Sequence, residues 1–389
     1  MSEGLRLALL SHLASSPAPT GAEESLALLA EGLRDRGHRV DVVVPGAGAL
    51  ETRLGAAGIP VHRVAVRSAW IVDPEPGVSP AAAARFLRFA LPDPGERELA
   101  ELLRSRALDV VHVNCIPHVR GAAAARRAGL PFVWHVREIL PEGARRAWLA
   151  RKLEDATSVV AVSEATGRWI RDEGLDGKLS VVPNGVVVPA SIADRGAARD
   201  ALGIPREGCV LGLFGQILLH KGVLEFVRAG ALALEEEPGL RFVLAGPGPD
   251  AVLRLVREEI GALHNRERFH LLPPRAGAGD LHAAADVVCL ASRAPDPLPR
   301  TVLEAMAAGR PVAAFRTGGV PEMVVDGETG ILVEPGDVPG LARAFVRLAR
   351  DPSLRERAGE AGRRRALEAF SMGLHLDRME AVLRRAAGR

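Results

Sequence analysis

Short apolar runs alternate with longer segments in which apolar positions recur at helical spacing along almost the whole chain. A short, continuous apolar run is typical of a strand buried on both faces of a sheet, and the segments between the runs have the pattern of amphipathic helices. Strands and helices in this order predict parallel sheets covered by helices on both faces. The pattern therefore predicts an α/β fold.

The alternation occurs twice along the chain, once in each half. The first half has strand patterns at residues 5–10, 40–44, 61–64, 109–113, 131–135, 158–162 and 180–182, and helix patterns at 23–36, 96–106 and 143–154. The second half has strand patterns at 210–214, 241–245, 268–271, 286–291, 311–315 and 330–333, and helix patterns at 223–237, 249–263, 299–308 and 338–350.

Residues 189–207 separate the two halves, are rich in small and polar side chains and contain no strand pattern. We interpret them as a linker and the lead-in of a second domain. A length of 389 residues also fits two domains of ordinary size. We therefore expect one domain at residues 1–187 and another at 188–370.

Charge and cysteine content exclude several classes of protein. The chain has 50 basic and 48 acidic residues, so no overall field favours nucleic acid. No apolar run approaches the roughly 18–20 residues needed to span a bilayer, and the first residues lack the pattern of a signal peptide. The three cysteines lie far apart in apolar runs, so we expect buried, reduced thiols and a cytoplasmic protein.

A few residue types are rare in this arginine-rich chain. Only Lys152, Lys178 and Lys221 are lysine, and Gln216 is the only glutamine. A rare residue that persists in such a background is less expected to be filler, which favours a specific role for Lys221 and Gln216.

Glycine- and proline-rich turns follow several predicted strands of the second half. In open parallel sheets, ligands bind at the carboxyl ends of strands, where backbone N–H groups meet anions. Glycines at these turns allow the backbone to approach a phosphate closely. The stretches with this placement are 214–216 with 220–222, 245–248, 295–297 and 317–320.

The most specific motif begins at Asp296-Pro297 and continues with Glu304 in the sequence Glu-Ala-Met-Ala-Ala-Gly-Arg-Pro-Val. With residues 162–165, 183–185, 318–322 and 326–330, it resembles the retaining glycosyltransferases of the GT-B fold, family 4 type (glycosyl transferases group 1). The resemblance covers nearly the whole chain in the family's order. It implies two Rossmann-like parallel-sheet domains that face each other across a cleft, and a tail at 371–389 that crosses back as a helix to the first domain.

The resemblance also implies the donor-site residues. Lys221 would neutralise the diphosphate of the donor, Asp296 would bind hydroxyls of the transferred sugar, and Glu304 would bind the ribose. The backbone at Gly318-Gly319, the following helix N-terminus and the Gly215-Gln216 turn would lie at the diphosphate.

From the first domain, the resemblance places Gly21 near the phosphates and His135 against the donor sugar. Catalysis would involve Lys221, Asp296 and His135, with retention of configuration and no protein nucleophile. The co-substrate would be a UDP- or GDP-sugar and the acceptor a sugar, lipid or small molecule. We expect no cofactor and no metal, since the chain has no Asp-x-Asp pair.

The chain departs from the family at the proposed site. Gln216 stands where the family usually has Arg, Asp296 where it has Glu, Leu298-Pro299 where it has Phe-Gly, and Thr20 in place of the first glycine of a Gly-Gly pair. The loss of the arginine would leave Lys221 as the one side-chain cation at the diphosphate. These departures keep a non-catalytic nucleotide-sugar-binding homologue as an alternative.

Two further alternatives come from other reaction classes. Residues 246–251 match the GxGxxA pattern of a dinucleotide-binding oxidoreductase, although two prolines there remove N–H donors. An epimerase of the same fold would act on a nucleotide sugar without an acceptor. A phosphorylase of that fold would use phosphate.

The segment 120–152 carries eight basic residues against Glu138 and Glu142. Its predicted helix also contains Trp148 and Leu149, a composition found on anionic membrane surfaces. A solvated helix face explains the same pattern. Peripheral contact with the inner face of the membrane is therefore an alternative to a purely solvated segment. Because the overall charge is balanced, we expect no nucleic-acid partner.

Overall fold

The structure is a computed structural model that describes residues 3–15, 20–68, 93–191, 193–274 and 279–389. The chain forms two compact units. The first comprises Met1–Gly185 with Gly373–Arg389, and the second comprises Val186–Met372.

Within its described residues, the first unit contains a sheet of seven parallel strands in the order β3-β2-β1-β4-β5-β6-β7. Leu9 of β1 lies opposite both Val42 of β2 and His112 of β4. The strand order reverses between β1 and β4, and ligand crevices of open α/β sheets form at such a reversal, beyond the carboxyl ends of the strands. The strands are β1 Arg6–Leu10, β2 Arg39–Val44, β3 Val61–Arg63, β4 Val110–Asn114, β5 Phe132–Val136, β6 Ser158–Ala161 and β7 Leu179–Val181.

The helices of the first unit begin with local capping contacts. Thr20 caps α1 in a reciprocal box with Glu23, Asp93 caps α3, and Ser163 caps α6 through the Thr166 N–H. The helices are α1 Gly21–Asp35, α2 Ala49–Ala56, α3 Pro94–Ser105, α4 Val119–Arg127, α5 Ala144–Leu153 and α6 Glu164–Asp172.

The last helix of the chain belongs almost entirely to the first unit. It is α15, Met372–Ala386, and it packs on α1 because Gly32 has no side chain to oppose Leu376; a Cβ at Gly32 would lie 2.5 Å from Leu376 Cδ1. His375 Nδ1 lies 2.7 Å from the carbonyl oxygen of Pro183, and Glu380 forms an ion pair with Arg36. These contacts fix the helix against residues from both ends of the first unit.

The second unit, within its described residues, contains six parallel strands in the order β10-β9-β8-β11-β12-β13. Here the order reverses between β8 and β11. The strands are β8 Val210–Phe214, β9 Arg241–Ala245, β10 Phe269–Leu272, β11 Val287–Leu290, β12 Val312–Phe315 and β13 Gly330–Val333.

Helices cover both faces of this second sheet. Rings of Phe226, Phe242 and Phe345 pack with centroids 5.6–5.9 Å apart and join α8, β9 and α13. The helices are α7 Arg195–Leu202, α8 Val223–Glu236, α9 Asp250–Gly261, α10 Gly279–Ala284, α11 Arg300–Ala307, α12 Val320–Met323, α13 Val338–Arg350 and α14 Pro352–Ala369.

The prediction of an α/β fold with two parallel sheets is confirmed, whereas the placement of the cysteines needs correction. The segment interpreted as a linker and lead-in of the second domain contains α7, which Asp194 caps and Gly203 ends at a φ of 67°. The thiols are free, but only Cys289 lies inside a strand. Cys115 follows β4 at a φ of 71°, and Cys209 precedes β8 and is half-buried.

Candidate functional site

Two glycine turns pack together beyond β8 and β9 in the second unit. The N–H of Gly215 donates to the carbonyl of Ala245 over 3.0 Å. A Cβ at Gly246 would lie 1.7 Å from the carbonyl oxygen of Gly215, so only glycine fits there. This close approach leaves Gln216 exposed at the carboxyl edge of the sheet.

Lys221 is held on a short loop that is anchored to the segment after β11. The turn Leu219–Lys221 ends at Gly222, where φ is 74° and a Cβ would lie 1.6 Å from the carbonyl oxygen of Ala291. The carbonyl of His220 accepts the N–H of Arg293 over 2.9 Å. The loop after β8 therefore has a fixed position beside the end of β11.

Lys221 and Asp296 form an ion pair at this edge. Lys221 Nζ lies 2.5 Å from Asp296 Oδ2, and the two side chains are 28% and 9% exposed. The carbonyl of Asp296 accepts the N–H of Gly319 over 2.8 Å, and a Cβ at Gly318 would lie 2.1 Å from the same oxygen. The glycine pair thus sets the position of Asp296 and, through it, that of the ammonium group.

Glu304 lies on α11 at the same edge. Its Oε1 accepts a hydrogen bond of 3.1 Å from Arg300, and the Glu304 side chain is 26% exposed. Thr301 Oγ1 donates to the carbonyl of Phe214 over 3.0 Å, which ties the helix to the end of β8. A cation, two carboxylates and a glycine-rich backbone therefore lie on the segments that follow β8, β11 and β12, beside the point where the strand order reverses.

A polar network occupies the carboxyl edge of the first sheet. Asn114, at the end of β4, donates through Nδ2 to the carbonyl of Ala22 over 3.2 Å. Arg137 donates through Nε to Asn114 Oδ1 over 2.8 Å and through Nη1 to Asn184 Oδ1. These contacts hold the start of α1 against β4, and they leave the adjacent Gly21 exposed.

His135 is fully buried in the first unit and pairs with His112. Its Nδ1 lies 3.2 Å from His112 Nε2, and the rings meet edge to face. Burial, with the charge of Arg137 as the next cause, lowers the pKa of His112 to about 3 and that of His135 well below its ordinary value. Both rings are therefore neutral near pH 7.

Two carboxylates support the loops around this network. Glu23 is fully buried and accepts the N–H groups of Ser15 and Thr20 over 2.9 and 2.8 Å. Glu138 accepts the N–H groups of Ile116 and Arg137. Burial is the largest effect on Glu138 and raises its pKa, while those two N–H groups act in the opposite direction.

Two family models match this chain. The glycosyl transferase 4-like domain matches residues 20–185, and the glycosyl transferases group 1 model matches residues 208–351. Together they cover most of the chain and correspond to its two units. The chain belongs to the group 1 glycosyltransferases.

Relatives of this group 1 glycosyltransferase support the assignment. A D-inositol 3-phosphate glycosyltransferase of Actinosynnema mirum is 36% identical over 215 residues, which are 52% of this chain and 50% of the relative. The aligned region therefore spans about half the length of that relative. An alpha-maltose-1-phosphate synthase of Mycolicibacterium smegmatis is 29% identical over 346 residues, 78% of this chain and 84% of the relative.

Solved structures share the fold. The crystal structure of Anabaena HepE in complex with UDP-glucose superposes with a TM-score of 0.83, covers 98% of this chain and 100% of its own, and is 24% identical. A glycosyltransferase from Rickettsia africae superposes with a TM-score of 0.80 at 18% identity and covers 99% of each chain. The GT-B fold of this family member follows from these matches.

Two further observations concern the expected diphosphate site. The Gly319 N–H donates to the carbonyl of Asp296, and the helix that follows, α12, has only four residues. A second cation, Arg293, lies on the loop bonded to His220. Its Nη1 lies 3.5 Å from Glu225, and its side chain is 66% exposed.

The sequence patterns did not indicate several residues that lie at the carboxyl edges of the two sheets. Ser292 follows β11 and its Oγ is buried without a hydrogen-bond partner among the described residues. Arg293 lies next to it. Their placement after a predicted strand was the available signal. In the first unit, Arg137 and Glu23 form contacts that depend on tertiary packing and have no motif of their own.

The basic segment 120–152 is less exposed and less charged than its composition indicates. Leu149 is fully buried, and Arg146 forms ion pairs with Glu173 and Asp172. Arg120 pairs with Glu96. Within the part of the chain that the structure describes, no helix has the length and apolar character required to cross a membrane.

Proposed function

We propose that this chain transfers a hexose-type sugar from a nucleoside diphosphate sugar, such as a UDP- or GDP-sugar, to a hydroxyl acceptor with retention of configuration. The Lys221–Asp296 pair at the carboxyl edge of the second sheet carries the proposal. Family membership supports the reaction class, and relatives are named as glycosyltransferases and as a maltose-phosphate synthase.

The second unit would hold the donor. The Lys221 ammonium is a compact cation that would counter the diphosphate charge, which grows as the glycosidic bond breaks. Asp296, held by the Gly319 N–H, would accept hydrogen bonds from hydroxyls of the transferred sugar. Glu304 would accept hydrogen bonds from the ribose.

The glycine turns would bring backbone near the diphosphate. Gly215 and Gly318 both have positive φ values, 111° and 57°, and their turns follow β8 and β12, which lie on either side of β11. Gln216, exposed beside Gly215, would donate through its side-chain amide where an arginine would add a charge. Ser292 adds a buried hydroxyl at the same edge.

Transfer would proceed on the front face of the sugar. The bond between the anomeric carbon and the departing phosphate oxygen breaks, the acceptor oxygen bonds to that carbon, and its proton passes to the phosphate. The phosphate acts as the base, so the reaction requires no protein nucleophile. Gly21 and His135 stay predictions of the family resemblance.

We further propose that Lys221 and backbone N–H groups replace a divalent metal, and that the protein works in the cytoplasm on a sugar, lipid or small-molecule acceptor. The free thiols, two of them buried, favour a reducing compartment. Arg145, Arg151 and Lys152 are the basic residues through which the segment 120–152 would contact an anionic membrane.

A donor and acceptor panel tests the function. The protein is incubated with UDP- and GDP-sugars and hydroxyl acceptors in excess EDTA, and products are identified by mass spectrometry and by NMR of the anomeric proton. The proposal predicts a glycosylated acceptor with retained configuration and a free nucleoside diphosphate.

Conversion of the donor without acceptor would indicate an epimerase, and phosphate-dependent release of the sugar would indicate a phosphorylase. Donor binding without turnover across the panel would indicate a non-catalytic homologue. Loss of transfer in EDTA, restored by magnesium or manganese, would contradict metal independence.

A further inference from the structure

A polar cavity of about 430 Å³ lies at the opposite edge of the second sheet, where the strands begin. Cys209 in its wall precedes β8, Leu240 precedes β9, and Asp286 precedes β11. At about 3.3 Å per residue, β8 separates Cys209 from Gly215 by roughly 20 Å. The cavity is therefore distinct from the candidate donor site.

One carboxylate in this cavity is fully engaged. Asp286 accepts hydrogen bonds from Arg195, from Arg199 at 2.6 Å and from the Val210 N–H at 2.7 Å, and its side chain is 4% exposed. Arg199 is equally buried and donates to the carbonyl of Ala284 over 2.9 Å. Asp286 and Arg199 therefore hold the starts of β8 and β11 and act as structural groups.

Two other arginines in the cavity wall keep donors available. The side chain of Arg195 is 48% exposed, and Nη1 carries its only contact among the described residues. Arg355 donates through Nη1 to the carbonyls of Leu348 and Ala349, both over 2.6 Å, and has no carboxylate partner within the described ranges. The Nε and Nη2 groups of both side chains remain for an anion.

The charge of the cavity is positive. Asp286 is shared by two guanidinium groups, and the other acidic residue of the wall, Glu237, binds Arg350 at 3.1 Å. Cys209 adds no negative charge, because burial raises the pKa of its thiol to about 12. Burial, followed by the charge of Arg195, also lowers the pKa of the nearby Arg310 to about 10. The local field therefore favours an anion.

We propose that this cavity binds a small anion of the phosphate class between Arg195 and Arg355. A guanidinium group presents two parallel N–H donors that match two oxygens of a phosphate, and two such groups suit a diphosphate better than a monovalent anion. The site lies apart from the residues assigned to sugar transfer, so it goes beyond the proposed function and does not depend on it.

Calorimetric titration with inorganic pyrophosphate tests the site. Pyrophosphate would also enter the donor site, so the titrations are run on Lys221→Ala protein, in which that site lacks its ammonium group. The test variant adds Arg195→Gln and Arg355→Gln. The control adds Arg343→Gln and Arg347→Gln, which remove the same charge from exposed positions of α13. A third variant, Arg195→Lys with Arg355→Lys, keeps the charge but removes the two parallel N–H donors of each guanidinium group.

The proposal predicts that Lys221→Ala protein still binds pyrophosphate and that the glutamine variant binds about tenfold more weakly or not at all. The control should bind as tightly as its parent, and the lysine variant should lie between. Arg195→Gln alone serves if the double variant fails to fold, because Arg199 still holds Asp286. Equal affinity in the test and control variants would overturn the proposal, as would complete loss of binding with Lys221→Ala alone.

Discussion

At the scale of single residues, the candidate donor site depends on a pairing that the sequence does not specify. Lys221 and Asp296 are 75 residues apart, and each was predicted separately to lie at the carboxyl edge of the sheet. Their contact depends on loops that meet only after β8 and β11 align. The same applies to Arg137, whose partners Asn114 and Asn184 are 23 and 47 residues away. Motifs predict such residues one at a time, and packing decides which of them meet.

Gln216 and Lys221 are expected to act on the same diphosphate. Lys221→Ala should weaken binding of the matching nucleoside diphosphate, and Gln216→Arg should tighten it by adding a cation on the same turn. In the Lys221→Ala background, Gln216→Arg should tighten binding more than it does in the wild-type background, because it then replaces a missing charge, so the two changes should not be additive. Calorimetric titration of both single variants and the double variant measures this coupling. Unchanged affinity in both single variants would mean that neither residue contacts the diphosphate.

At the scale of secondary structure, the sequence predicts most strands well because parallel strands buried on both faces are continuous apolar runs. The bounds of β8, β9, β13 and α13 agree with the patterns that predicted them. α7 was not predicted, because its short apolar stripe lies among small and polar residues. Its Asp194 cap and its terminal Gly203 were the signals available.

The glycine turn after β12 offers a test at this scale. Gly318→Ala should displace the Asp296 loop, since a Cβ there would lie 2.1 Å from the Asp296 carbonyl oxygen. We expect lower turnover and weaker donor binding, measured by steady-state kinetics. Gly327→Ala is the matched control. It also replaces a glycine of positive φ, 78°, but meets nothing within 4 Å, so it should cost about 1 kcal/mol of backbone strain and leave turnover intact. Equal kinetics in the two variants would show that Gly318 does not position Asp296.

At the scale of the whole molecule, the first unit is distinguished by its tryptophans and by histidines whose pKa values are lowered by burial. All four tryptophans precede residue 186, and the chain has no tyrosine, so intrinsic fluorescence follows the first unit alone. That unit buries His112 and His118 and half-buries His12, and burial lowers the pKa values of His12, His112 and His118 to about 4, 3 and 3.

These histidines make the first unit sensitive to acid. Their pKa values are lower in the folded than in the unfolded state, so the unfolded state binds more protons below about pH 6.5. The contribution of these histidines to the free energy of unfolding should therefore be constant above that pH. It should lower the stability as pH drops toward 4, by about 1.4 kcal/mol per pH unit for each histidine. Urea titrations followed by tryptophan fluorescence measure this slope. His118→Asn should reduce it, whereas His264→Gln, at an exposed position, should not. An unchanged slope in His118→Asn protein would contradict this role of burial.

The central claim is that Lys221 acts on the departing diphosphate of a sugar donor. The most direct measurement is the turnover number for sugar transfer by wild-type, Lys221→Ala, Lys221→Arg and Lys152→Ala proteins with the donor and acceptor that the panel identifies. Removing the ammonium should cost about 2–4 kcal/mol of transition-state stabilisation, equivalent to a loss of roughly 30- to 1000-fold, and arginine should restore part of it. With a water-soluble acceptor, Lys152→Ala, which removes a lysine of the first unit that contacts the Trp148 ring, should leave turnover unchanged. Wild-type turnover in Lys221→Ala protein would contradict the account.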